Sequence, residues 1–243
     1  MDKYEKIADR TGIKAQPEKM SFVKGKDSAL PNAGKTVDNS GKSGIIKEKE
    51  VEYGIPYGEH SIKANISYIN SEQYVSKYNN ITENAEVNRN IASLAQQAIK
   101  HRNGTKFEDM FIVNAQTGEV LGSQLDMTIE SGISYNESIL NALKESKKKE
   151  IPIIALHNHP EGLPPSVDDF NKAFDNNYVI GIAAGHNGQV YVYEKPRRRI
   201  KDKLVKNIHD EISLRCSAGI DIDRSYTEVY EQIGLKYKIV KGD

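Results

Sequence analysis

Residues 151–170 constrain this chain more than any other stretch. An apolar run rich in β-branched side chains, residues 151–156, reads as a buried strand. It delivers His157 and His159 at a spacing of two, and because side chains alternate along a strand both imidazoles leave one face. A loop broken by Pro160, Gly162, Pro164 and Pro165 follows. Ser166 then opens a predicted helix with Asp168 and Asp169 in its first turn. A strand end and a helix start thus bring two neutral nitrogens and one carboxylate oxygen together. That set predicts a three-ligand zinc site whose fourth position is left for water, as catalytic zinc requires. Each piece has a plainer reading as well. Ser166-x-x-Asp169 is a capping box, and a His-x-His pair can be the polar rim of a strand.

The chain's 243 residues suit one good-sized domain with extensions, or two small ones. Lys+Arg and Asp+Glu balance at 34 each, so no global field draws the protein to nucleic acid or anionic membrane. The single cysteine, Cys216, excludes an internal disulfide framework and multi-thiolate zinc ligation. It also excludes the Pro-Cys-x-x-Cys half of a zinc deaminase site. No apolar run is long enough for a transmembrane helix, and the first residues lack the apolar region of a signal peptide. The expectation is a soluble chain, cytoplasmic where it is made, with delivery elsewhere or association with a virion as the alternatives.

Residues 1–50 are polar and charged, and read as a disordered arm unable to bury enough surface to offset its ordering entropy. Residues 51–69 are ambiguous between short strands and an extended packed segment. Ser71 looks like a short helix start, and Thr82 or Asn84 could cap a longer helix over 85–101, ended by Asn103-Gly104. Residues 107–114 and 119–124 form a predicted hairpin around Thr117-Gly118. A helix over 136–148 follows, ending in lysines that suit its dipole. After the histidine strand and its helix (166–176), residues 178–184 and 189–193 form a second hairpin. A long helix is expected from Pro196, a favourable first position, to about Ser217, and a last one over 226–233. This order predicts an α/β fold, a mixed β-sheet flanked by helices. The domain reading is a disordered arm 1–50, a helical or irregular extension 51–103, a metal-binding core 104–195 and a C-terminal helical extension 196–243.

A hydrolytic zinc needs a base for the proton of its water. Glu108, Asp109, Glu119, Glu130 and Glu161 are candidates. Glu108 stands out because it begins a strand just after the Gly104 break, whereas Glu161 lies near the histidines on a loop.

The pattern His157-Asn158-His159-Pro160-x-Gly162, then Pro165-Ser166-x-x-Asp169, resembles the JAMM signature of the JAB/MPN metalloprotease superfamily, and most of all its bacterial RadC-like branch. Glu108, followed by the apolar residues 110–113 and by Thr117-Gly118, matches the glutamate of that family. The resemblance spans roughly residues 105–194. It implies a cytidine-deaminase-like JAB/MPN core, Zn2+ held by His157, His159 and Asp169, Glu108 as general base, and Ser166 as donor to the oxyanion. The spacing from His159 to Asp169 is slightly shorter than relatives usually show, which leaves Asp168 as a rival ligand. The implied activity is hydrolysis of peptide or isopeptide bonds, with a peptide or protein as substrate, in a bacterial or phage setting where such domains join larger phage or toxin assemblies. The alternatives are a non-catalytic JAB-fold binding or structural module, or a RadC-like protein acting on nucleic acid through Arg197, Arg198 and Arg199. His186 reads as a turn residue, Asn158 as structural, His60, His101 and His209 as surface or helix positions, and the tyrosines Tyr53, Tyr57, Tyr68, Tyr74 and Tyr78 as packing.

Overall fold

The computed structural model describes residues 62–126 and 134–242; the expected arm, His60, Tyr53, Tyr57 and Glu130 lie outside them. Among the described residues one mixed sheet of six strands runs in the order β2-β1-β3-β4-β5-β6. These are β1 (Met110–Asn114), β2 (Val120–Gln124), β3 (Ile153–His159), β4 (Ile180–Gly185), β5 (Val190–Tyr193) and β6 (Tyr237–Ile239). Only β3 and β4 pair in parallel; the other neighbours are antiparallel. Both expected hairpins are present, as β1–β2 and β4–β5.

Helices cover both faces. On one lie α1 (Ile66–Ile69), α2 (Glu72–Ser76) and α3 (Ala85–Arg102), and on the other α4 (Glu137–Lys149), α5 (Val167–Asp175), α6 (Asp202–Ser217) and α7 (Ile222–Ile233). The strand alternation sorts residues between the two cores. Ile112, Ile153 and Ala155 face α4–α7, while Phe111, Val113, Ile154 and Leu156 face α1–α3. Tyr74 and Tyr78 are fully buried, with their hydroxyls 2.8 Å apart, so packing is their role. The segments read from sequence as extensions therefore pack on the two faces of a single sheet.

Local chemistry sets most helix starts. Ser71, Asn84, Asn136 and Ser166 each accept a backbone N–H in the first turn of α2, α3, α4 and α5. Asn84, rather than Thr82, is the cap of α3.

The C-terminal region departs from the sequence reading. The helix expected from Pro196 begins only at Asp202. Buried Asn171 of α5 donates from Nδ2 to the Ile200 carbonyl (3.1 Å) and accepts the Ile200 N–H at Oδ1 (2.8 Å), which takes both backbone groups of Ile200 away from a helical ladder. Ile200 itself is buried in the core. The last helix starts earlier than expected, at Ile222, because Asp221 accepts the Arg224 N–H (3.1 Å). Strand β6, which closes the sheet beside β5, has no counterpart in the sequence reading.

Candidate metal centre

The site is a direct product of strand alternation. Along β3 the face that buries Ile153 and Ala155 continues with His157 and then His159. Along β1 the same face carries Met110, which pairs with His157. Continued two residues past that rung, the register sets Glu108 opposite His159, and the Asn158 N–H still reaches the Asp109 carbonyl (3.4 Å). Because β1 runs antiparallel to β3, the start of one strand meets the end of the other. Asp169 arrives from the first turn of α5, which Phe170 pins to the sheet by edge-on contacts with Tyr193 and Tyr230.

Three candidate ligand atoms converge. His157 Nε2 and His159 Nε2 lie 2.8 Å apart, and Asp169 offers Oδ1 at 3.4 Å from the first and Oδ2 at 3.5 Å from the second. His159 Nδ1 sits 2.7 Å from the Leu163 carbonyl, to which it donates. That bond fixes the tautomer, so in the neutral ring Nε2 carries the lone pair that faces the other two groups. Asp169 Oδ2 in turn accepts from the Ser166 N–H (2.7 Å) and the Ser166 hydroxyl (2.9 Å). Two imidazole nitrogens, a carboxylate and hydrogen bonds behind two of them fit a divalent ion of the zinc type. Asp168, the rival ligand, is exposed, and its neighbour Asp169 is the one that joins the cluster.

The electrostatics of the site favour positive charge. Burial alone would lower the His159 imidazole, but Asp169 outweighs it, and with Glu108 and the Leu163 carbonyl raises it to about 9. Burial likewise opposes the charge of Asp169, yet His157 and His159 hold that carboxyl well below its usual range. Glu108, only 8% exposed, is pushed up to about 7 chiefly by burial, with the two histidines pulling the other way and Asp169 and Glu161 adding to the rise.

A cleft of about 490 Å³ opens onto these groups, lined also by Tyr135, Tyr178 and Tyr193 and by the loop residues Glu161, Leu163 and Pro164. The Tyr135 and Tyr178 hydroxyls bond each other at 2.8 Å. The Lys172 ammonium lies 4.8 Å above the Tyr135 ring. His209, read from sequence as an ordinary helix position, reaches the cleft from α6, and burial lowers its pKa. No local pattern could have shown this, since α6 folds back from outside the signature.

Ser166 satisfies both of its sequence readings at once. It caps α5 by accepting the Asp169 N–H (3.2 Å), and it lines the cleft. Its only hydroxyl proton points at Asp169 in this arrangement. Of the other acidic candidates, Glu161 lines the cleft from its loop, whereas Asp109 faces away, fully buried against Arg102 and His101 of α3. Within the basic run, Arg199 is paired with Asp175 and Asp202, and nearby Lys206 with Asp210. No helix among the described residues is long and apolar enough to cross a membrane.

No family model, curated protein or solved structure matches the chain.

Proposed function

We propose that this chain is a zinc-dependent hydrolase of peptide or isopeptide bonds, built on a JAB/MPN-type core. The observation that carries the reading is the meeting, on one sheet face, of three ligand atoms from His157, His159 and Asp169 with a separate carboxyl, Glu108, that burial brings to about 7. A group that takes and returns a proton works best with its pKa near the operating pH. The same face lies open to a cleft of about 490 Å³.

In this reading His157, His159 and Asp169 hold the ion. When bound, zinc acidifies a coordinated water and polarises the scissile carbonyl. Glu108 accepts the proton released on attack and passes it to the departing amine. Leu163 keeps His159 in the tautomer that binds, and Ser166 orients Asp169. To serve a developing oxyanion as well, the Ser166 hydroxyl has first to leave Asp169. Tyr135, Tyr178 and Tyr193 keep one wall of the cleft apolar and restrict water.

The test begins with metal content. Purified protein is expected to carry about one zinc per chain, lost in Asp169→Asn and in His159→Ala and kept in Asp168→Asn. A screen of peptide and isopeptide substrates should then find a cleavage that Glu108→Gln abolishes while zinc remains bound. Zinc-free wild-type protein after loading with excess metal, or full cleavage by Glu108→Gln, would overturn the reading.

A further inference from the structure

Asn158 stands between the two histidines and faces the other way, into the core beneath α3. Its side chain grips the backbone on either side of Glu108. Oδ1 accepts the Asp109 N–H at 2.7 Å, and Nδ2 donates to the Phe107 carbonyl at 3.2 Å. Those are the two peptide groups that flank residue 108. The second Nδ2 proton goes to His186 Nε2 at 3.0 Å, while His186 Nδ1 donates to the Ile62 carbonyl, also at 3.0 Å. Both amide protons and one oxygen lone pair are thereby engaged, which fixes the orientation of the carboxamide. A flipped amide would set an NH2 against the Asp109 N–H and an oxygen against the Phe107 carbonyl. With Nδ1 donating to Ile62, Nε2 of the neutral ring is left to accept from Asn158.

The residues on both sides of Glu108 are held independently from α3. Asp109 is fully buried and bonds Arg102 Nε (2.5 Å) and His101 Nδ1 (2.6 Å). The Arg102 guanidinium also lies 5.7 Å from the Phe107 ring centre. Residues 107 and 109 are thus anchored on one face, and Glu108 alone of the three lines the cleft on the other.

We infer that Asn158, locked by His186, is a positioning residue that sets the placement of the Glu108 carboxylate relative to the ion held by the two histidines beside it. This role rests on the functional reading above and extends it to the residue between the ligands. One strand then supplies ligands from one face and the geometry of the base from the other. Nothing in the arrangement asks Asn158 to touch the ion, so its loss should leave metal binding intact and displace only Glu108.

The test uses cobalt(II) as the probe in the full chain. Cobalt affinity and the pH midpoint of its visible absorption are measured for wild type, Glu108→Gln, Asn158→Ala, Asn158→Thr and His186→Gln. Asn158→Ala is expected to hold cobalt within about threefold of wild type, yet to move the midpoint at least halfway towards that of Glu108→Gln; effects of supporting partners on activity run to about 10–100-fold. Asn158→Thr can still accept from Asp109, but its single hydroxyl proton cannot serve both Phe107 and His186, so it should fall between, and it serves if the alanine variant does not fold. His186→Gln can both accept and donate, and should stay near wild type. If Glu108→Gln moves the midpoint and neither Asn158 variant does, the positioning role is wrong. If the Asn158 variants lose cobalt itself, the residue is a general prop of the strand and the inference also fails. If Glu108→Gln leaves the midpoint untouched, the functional reading falls first, and the two failures are told apart. With a cleavable peptide, the loss in Asn158→Ala should appear in kcat with KM held.

Discussion

On the His159 ring the two nitrogens do different work: Nδ1 gives its proton to Leu163, and Nε2 is left facing Asp169 and His157. Without metal the site satisfies its own carboxylates with a proton, which is why His159 stays charged up to about 9. On the function proposed above, zinc has to displace that proton. Its affinity should therefore climb between about pH 6 and 9, by roughly tenfold per pH unit for each proton released. Competition against a chelator of known affinity measures this, and a flat profile would contradict the geometry. Glu108 shows the opposite side of the same linkage. Its carboxyl titrates near 7 in the fold against 4.5 as a free side chain, so the folded state holds the proton more tightly. The contribution of Glu108 to stability in the metal-free protein then falls as pH rises from 4.5 through 7, because above that window the fold carries a buried carboxylate. Across that window the loss runs at about 1.4 kcal/mol for each pH step of one. Metal-free Glu108→Gln should accordingly melt higher than the parent at about pH 8, with the gap closing towards acid pH. An equal gap at both ends would show that Glu108 is not desolvated as described.

Helix α5 holds the candidate ligand Asp169, and its first turn does so through the capping box. Ser166→Ala removes the acceptor for the Asp169 N–H and a donor to Asp169 Oδ2 together. The expected cost is about 0.5–2 kcal/mol of stability, read as a lower urea midpoint at unchanged slope. Zinc affinity should drop by about 10–100-fold, as for other supporting partners. An effect on stability alone would separate the cap from the site.

Elements also divide by how far they can be read from sequence. β3 is legible because alternation is local: Ile153, Ala155, His157 and His159 share a face whatever surrounds them. The caps at Ser71, Asn84 and Ser166 are legible for the same reason. Three features are not. The start of α6 is delayed by Asn171, whose partner Ile200 lies 29 residues away. β6 is a three-residue strand whose pairing with β5 exists only after the chain has folded back. Asn158 reads as merely structural because the peptide groups it bonds lie 49 and 51 residues upstream.

At the scale of the whole molecule, two hydrophobic cores share one sheet, and the candidate ion site lies where the end of β3 meets the starts of β1 and α5. Neither core can melt without exposing the back of the other, so unfolding should occur in a single transition. A ligand that binds only the folded form shifts that transition by mass action. At about a hundredfold excess over its Kd, zinc should add about 2.7 kcal/mol, on the order of 5–10 °C in Tm for a chain of this size, and a chelator should reverse it. Two separable transitions, or a zinc shift confined to one of them, would mean that the cores are not coupled through the sheet.

The division of labour on β3 has a consequence for how errors in assembly are detected. A slip of one residue against β1 would turn both imidazoles into the greasy layer under α3 and bring the Asn158 amide out into the cleft. A molecule mispaired in this way has no means of capturing zinc. On the function proposed above, metal uptake would proofread strand alignment, and only correctly threaded copies would receive its stabilisation.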